Sequence, residues 1–125
     1  MIKPCVLHRD AKYARALARN AIAVYGGLPA LTYYDVATDP EGFAPTTQKI
    51  RAALARGDVP GMLEAVTDEM VDALTFAGTP DQVRRQVAAW EGLADLMLLY
   101  PPPALMMEPA ETRAAHEAIL ESFAD

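Results

Sequence analysis

Residues 75–103, TFAGTPDQVRRQVAAWEGLADLMLLYPPP, constrain the fold more than any other stretch. Gly78 suits the end of one helix, where a left-handed C′ position favours glycine. Thr79 suits the start of the next. Its hydroxyl can accept from a free backbone N–H, Pro80 fits the first helical position, and Gln82 can reach back as in a capping box. Val83, Val87 and Trp90 then recur at helical spacing and form one apolar stripe of a helix over 79–91. Gly92 ends that helix. The apolar run after it reads as a strand over 94–100, stopped by Pro101, Pro102 and Pro103. A strand apolar on both faces belongs to a parallel sheet covered by helices, so an α/β fold is expected.

The rest of the chain supplies one more strand and several helices. Residues 4–8 read as a strand, with Pro4 at its start, where proline is tolerated. His8, Arg9 and Asp10 form the loop at its end, and Asp10 suits the N-cap of a helix over 11–25, closed by Gly26 and Gly27. Its apolar face is Ala14, Leu17, Ala21, Val24 and Tyr25. Residues 28–45 mix aromatics with Pro29, Pro40, Gly42 and Pro45, which reads as a short helical turn and a loop. Thr46 or Thr47 is expected to cap a helix to Arg56. A short helix over 58–66 has Pro60 in its first turn, Thr67 caps a helix over 68–77, and Glu108-Pro109 opens the last one.

Charge and cysteine usage exclude several classes. Eleven basic against 17 acidic residues give a net charge of −6, opposite to what nucleic-acid binding requires. No apolar span is long enough for a membrane helix, and no apolar core of a secretion signal stands at the start, so the cytoplasm is expected. Cys5 is the single cysteine, so no intrachain disulfide can form, and within a buried strand its thiol should be inert. No phosphate loop, nucleophile triad or metal-ligand spacing is present, and the catalytic residues are unknown at this stage. His116 reads as a surface or packing residue.

The run AGTPDQVRRQVAAWEGLADLMLLYP resembles the last helix–strand step of the bacterial luciferase-like monooxygenase family, which includes flavin enzymes and oxidoreductases using the deazaflavin F420. VTDEMVDALTFAG resembles the helix before that step. CVLHRDAKYARALARNAIAVYGGLPALTYY resembles an earlier strand and Ala-rich helix. Leu93-Ala94-Asp95 stands where the family often has Gly-Val-Asp. The resemblance implies a (β/α)8 barrel, which needs about 250 residues. This chain of 125 residues resembles the last third of one. The expectation is therefore a single partial (β/α)8 (TIM) barrel domain, helix-rich, with about two parallel strands and five to six helices.

Barrels of this kind place their sites at the C-terminal ends of the strands. The resemblance makes His8, Arg9 and Tyr100 the cofactor-binding candidates, for FMN or F420, and Tyr25, Tyr33 and Tyr34 the substrate-lining ones. Asp10 as a cap and Arg9 as a solvated cation are the structural alternatives. Two strands leave open sheet edges that must be covered, so a homo-oligomer is expected. Three readings stay open. The chain is a piece of a luciferase-like oxidoreductase, inactive alone. Or it is a non-catalytic remnant that acts through self-association. Or it is a small helical binding module.

Overall fold

The computed structural model describes residues 1–102 and 107–124, the side chain of Tyr33 excepted. In chain order the elements are β1 (Ile2–Leu7), α1 (Ala11–Gly27), a 3-10 helix (Pro29–Tyr34), α2 (Asp35–Thr38), α3 (Ala44–Ala55), α4 (Val59–Ala65), α5 (Asp68–Leu74), β2 (Phe76–Gly78), α6 (Pro80–Ala88), β3 (Leu98–Tyr100) and α7 (Pro109–Phe123). They divide into two compact units, Met1–Ala18 with Thr75–Asp125, and Arg19–Leu74.

The first unit holds a parallel sheet in the order β2-β1-β3. Both strands expected from sequence are present and pair in parallel, with Ile2 opposite Leu98 and Pro4 opposite Tyr100. The expected two strands become three, and the five to six helices become seven α-helices among the described residues. The added strand, β2, takes residues expected to finish a helix over 68–77. α5 stops at Leu74, and Phe76, Ala77 and Gly78 pair instead with Cys5, Val6 and Leu7. Gly78 is therefore the end of a strand, not the close of a helix. Its φ of +150° and a Cβ position only 2.5 Å from Oε1 of Gln82 explain the glycine. β3 is shorter than the expected 94–100, and Leu98 is 53% exposed, so this strand is not covered on both faces.

Strand order differs from that of a barrel wall. A fold built by repeating β/α steps puts each strand beside the next in sequence. Here β3 lies beside β1 rather than β2, and β1 is central. Pro4 fits β1 because backbone groups alternate sides along a strand. Met1 C=O accepts from Leu98 N–H on the β3 side, and His8 N–H donates to Gly78 C=O on the β2 side. Pro4 shares the side of His8, ahead of the first β2 pair at Cys5, where its missing N–H leaves no gap in the ladder.

Cys5, Phe76, Val83 and Ile119 form the core of this unit, with Leu7, Val87, Trp90, Met97 and Leu99 against it. Burying a side chain such as Phe76 contributes about 2–3 kcal/mol. Lys3 is buried among them. Its Nζ lies 4.7 Å from the ring centroid of Phe76 and 4.4 Å from that of Trp90. α6 carries the full expected capping box: Thr79 Oγ1 accepts from Gln82 N–H, and Gln82 Oε1 accepts from Thr79 N–H at 2.9 Å.

In the second unit Ile22, Ile50, Met62, Val66, Met70 and Val71 are buried. α1 runs on through Gly26 and Gly27, and a Cβ on Gly27 would lie 3.3 Å from both Ile50 Cγ2 and Met62 Sδ, which explains the glycine there. Thr67 caps as expected, accepting from Met70 N–H at 3.2 Å, and Asp58 caps α4, accepting from Gly61 N–H at 2.9 Å. The expected cap at Thr46 or Thr47 is overturned. α3 starts at Ala44 with Pro45 in its first turn, and Thr47 is buried inside it, its hydroxyl without a partner among the described residues. Arg19 ties α1 to the end of α4 and the start of α5 through the Val66 carbonyl and Asp68.

Candidate functional site

In a parallel strand the last residues project from the sheet's C-terminal edge, and β1 delivers His8, Arg9 and Asp10 there. Asp10 caps α1, its Oδ1 accepting from Lys12 N–H at 2.9 Å and Tyr13 N–H at 3.4 Å. Its own N–H donates to His8 Nδ1 at 3.0 Å. That bond makes Nδ1 the acceptor, so the neutral ring carries its proton on Nε2. The imidazole also rests against Tyr13, with ring centroids 4.5 Å apart. His8 is thus held at three points: ring face, Nδ1 and backbone.

A cavity of about 450 Å³ opens at this strand end. Val6, Leu7 and Leu17 give it apolar walls, and Pro80 brings the start of α6 to it. Its polar lining is His8, Arg9, Tyr13 and Glu111. Arg9 and Glu111 are exposed, so cation and carboxylate meet solvent at the mouth. One Glu111 oxygen is committed, accepting from Glu108 N–H at 2.9 Å in the capping box of α7.

Of the sequence candidates, His8 and Arg9 come together in this lining. Tyr100 does not reach it. It stands half-buried opposite Pro4 in β3, and the chain meets the cavity through Pro102 and Met107 instead. Tyr25 and Tyr34 belong to the second unit, where their rings contact each other at 4.6 Å, and the side chain of Tyr33 lies outside the described residues. Tyr13 and Glu111 were not singled out from sequence, and Leu17 was named only for the apolar face of its helix. The available signals were local: Tyr13 and Leu17 follow the strand end at helical spacing, and Glu108-Pro109-Ala110-Glu111 has capping-box spacing.

Cys5 lies below this end of β1, buried, and burial pushes its thiol up to about 12. A thiol so placed is inert at neutral pH, as expected. Among the described residues no group of three or more His, Cys, Asp or Glu could hold a metal ion. No helix among them is long and apolar enough to cross a membrane.

Comparison with known proteins agrees with the resemblance carried by the helix–strand step. The model of the family described as luciferase-like monooxygenase matches residues 2–96. A 5,10-methylenetetrahydromethanopterin reductase of Archaeoglobus fulgidus is 29% identical over 80 residues, which are 63% of this chain and 24% of that protein. The chain thus spans about a quarter of the length of this curated relative.

Proposed function

The chain belongs to the luciferase-like monooxygenase family, and from that premise we propose that it forms a strand-end part of the FMN or F420 pocket of an oxidoreductase. The observation that supports this most is the position of the cavity, at the C-terminal end of β1 and the start of α6. Parallel α/β folds keep their ligands there. Its volume of about 450 Å³ lies within the range of cofactor sites.

The lining suits such a group. Val6, Leu7 and Leu17 offer apolar surface to a flat ring. His8, with Nδ1 occupied, offers Nε2–H to a ring oxygen or nitrogen. Arg9 offers a guanidinium to a phosphate or carboxylate. The cofactor, when bound, supplies the electron-transfer chemistry, and the chain's part is to bind and orient it. The chain spans about a quarter of its curated relative, so turnover is assigned to a larger assembly, in this reading a homo-oligomer, and not to the chain alone.

One observation favours a second reading. Ile2 and Leu98 are cross-strand neighbours, 63% and 53% exposed, with Leu96 nearby at 66%. Such a flank suits a non-catalytic remnant or small binding module that acts through self-association.

Fluorescence titration of FMN and F420 into the purified chain, with light scattering on the same samples, separates the two. The pocket reading expects saturable binding of one cofactor, weakened about tenfold by Arg9→Ala, the scale of one charge-assisted hydrogen bond. A defined oligomer that binds neither cofactor supports the second reading. Binding indifferent to His8→Ala and Arg9→Ala rules out this cavity.

A further inference from the structure

A second cavity, of about 390 Å³, lies beside β2. Its walls are the first turns of α1, with Ala11 and Arg15, and the first two turns of α6, with Gln82, Arg85 and Gln86; Ala77 lies between them. Both carboxamide oxygens are committed to the backbone: Gln82 Oε1 accepts from Thr79 N–H, and Gln86 Oε1 from Ala77 N–H. The charge facing the cavity is that of two guanidiniums.

No carboxylate stands among the residues lining it, in a chain with 17 acidic residues against 11 basic ones. Arg84, one position before Arg85, pairs with Asp81, whereas Arg85 makes no ion pair among the described residues. Each guanidinium has five N–H donors, so Arg15 can serve an anion and a protein acceptor together. A tetrahedral oxyanion in this space can take a fork-shaped contact from each guanidinium. α1 and α6, of 17 and 9 residues, present their first turns to the same space, with Asp10 and Asp81 at those helix starts outside the cavity lining.

We propose that this cavity binds a doubly charged oxyanion of the phosphate class, gripped by Arg15 and Arg85. The site is separate in its residues from the pocket at His8, and its occupancy does not depend on a flavin or F420 binding there.

The test is a thermal-unfolding and amide-NMR titration of the 125-residue chain with inorganic phosphate, against chloride at matched ionic strength. Phosphate should raise the unfolding midpoint and shift amides of α1 and α6, and chloride should do neither. Arg85→Gln should leave the phosphate-free midpoint unchanged, since Arg85 is exposed, and weaken phosphate binding about tenfold. Arg85→Lys should bind in between, and Arg84→Gln should bind as the parent does. A parallel titration with glycerol 3-phosphate identifies the source: tighter binding than free phosphate assigns the site to a phosphorylated ligand, weaker binding to the free anion. No phosphate-specific shift, or a shift that survives Arg85→Gln, overturns the proposal.

Discussion

The side chain of Gln86 occupies the outer edge of β2 as a neighbouring strand would. Its Oε1 accepts from Ala77 N–H and its Nε2 donates to Ala77 C=O, each at 3.1 Å. An exposed sheet edge invites pairing with another chain, and here one side chain closes it. Gln86→Ala should lower stability by about 1–2 kcal/mol, for two part-buried backbone groups returned to water. It should also promote self-association at high protein concentration. Urea denaturation and sedimentation check this. A variant as stable and as dispersed as the parent would mean that the edge is guarded elsewhere.

Gly78 and the capping box of α6 form one unit. A Cβ on Gly78 would meet Gln82 Oε1 at 2.5 Å and expel it from its bond to Thr79 N–H. Thr79→Ala should cost about 1 kcal/mol, as losses of an N-cap do. Gly78→Ala should already include the loss caused by Gln82→Ala, so the double substitution should cost less than the sum of the two. Simple additivity in chemical denaturation would show that Gln82 tolerates the added methyl.

The buried thiol of Cys5 makes stability sensitive to alkali. The unfolded chain releases this proton near the ordinary value of 9.0, and the folded chain holds it to about 12. Below pH 9 the neutral thiol is present in both states, and this group leaves stability flat. Between pH 9 and 12 the folded state binds the extra proton, so its stability falls as pH rises. Cys5→Ala should flatten that decline relative to the parent in urea midpoints taken from pH 7 to about 10.5. Equal alkaline slopes would mean that the thiol ionises as easily in the folded chain.

What was legible in the sequence is what depends on near neighbours. Asp10, Thr67 and Thr79 cap as read, because an N-cap needs only a short polar side chain and the free N–H groups two or three residues on. β2 was not legible. Phe76 and Ala77 continue the apolar spacing of Met70 and Leu74, and only pairing with β1, some 70 residues away in sequence, makes them a strand. The Gln86 clamp was hidden for the same reason, since it answers an edge that exists only once β2 has formed. At the candidate site His8 and Arg9 could be named from sequence because a strand end is a position in sequence, and both line the cavity. Glu111 has a local signal for its capping role, but α7 comes to the cavity only through tertiary packing.

Arg51 makes three side-chain hydrogen bonds within the second unit. Nη1 and Nη2 donate to Asp35 Oδ2 and Oδ1 at 3.2 and 2.6 Å, and Nε donates to Gly26 C=O at 3.0 Å. One guanidinium so joins the end of α1, the start of α2 and the middle of α3. Both partners are largely withdrawn from solvent, at 18% and 28% side-chain exposure, so the pair is screened less than a surface ion pair. Lysine keeps the charge but lacks the planar fork, and Arg51→Lys should cost about 1–2 kcal/mol. A double-mutant cycle with Asp35→Asn should return a coupling of about 1 kcal/mol or more. Coupling near zero would mean that Arg51 acts through the Gly26 carbonyl alone, holding the end of α1 without help from Asp35.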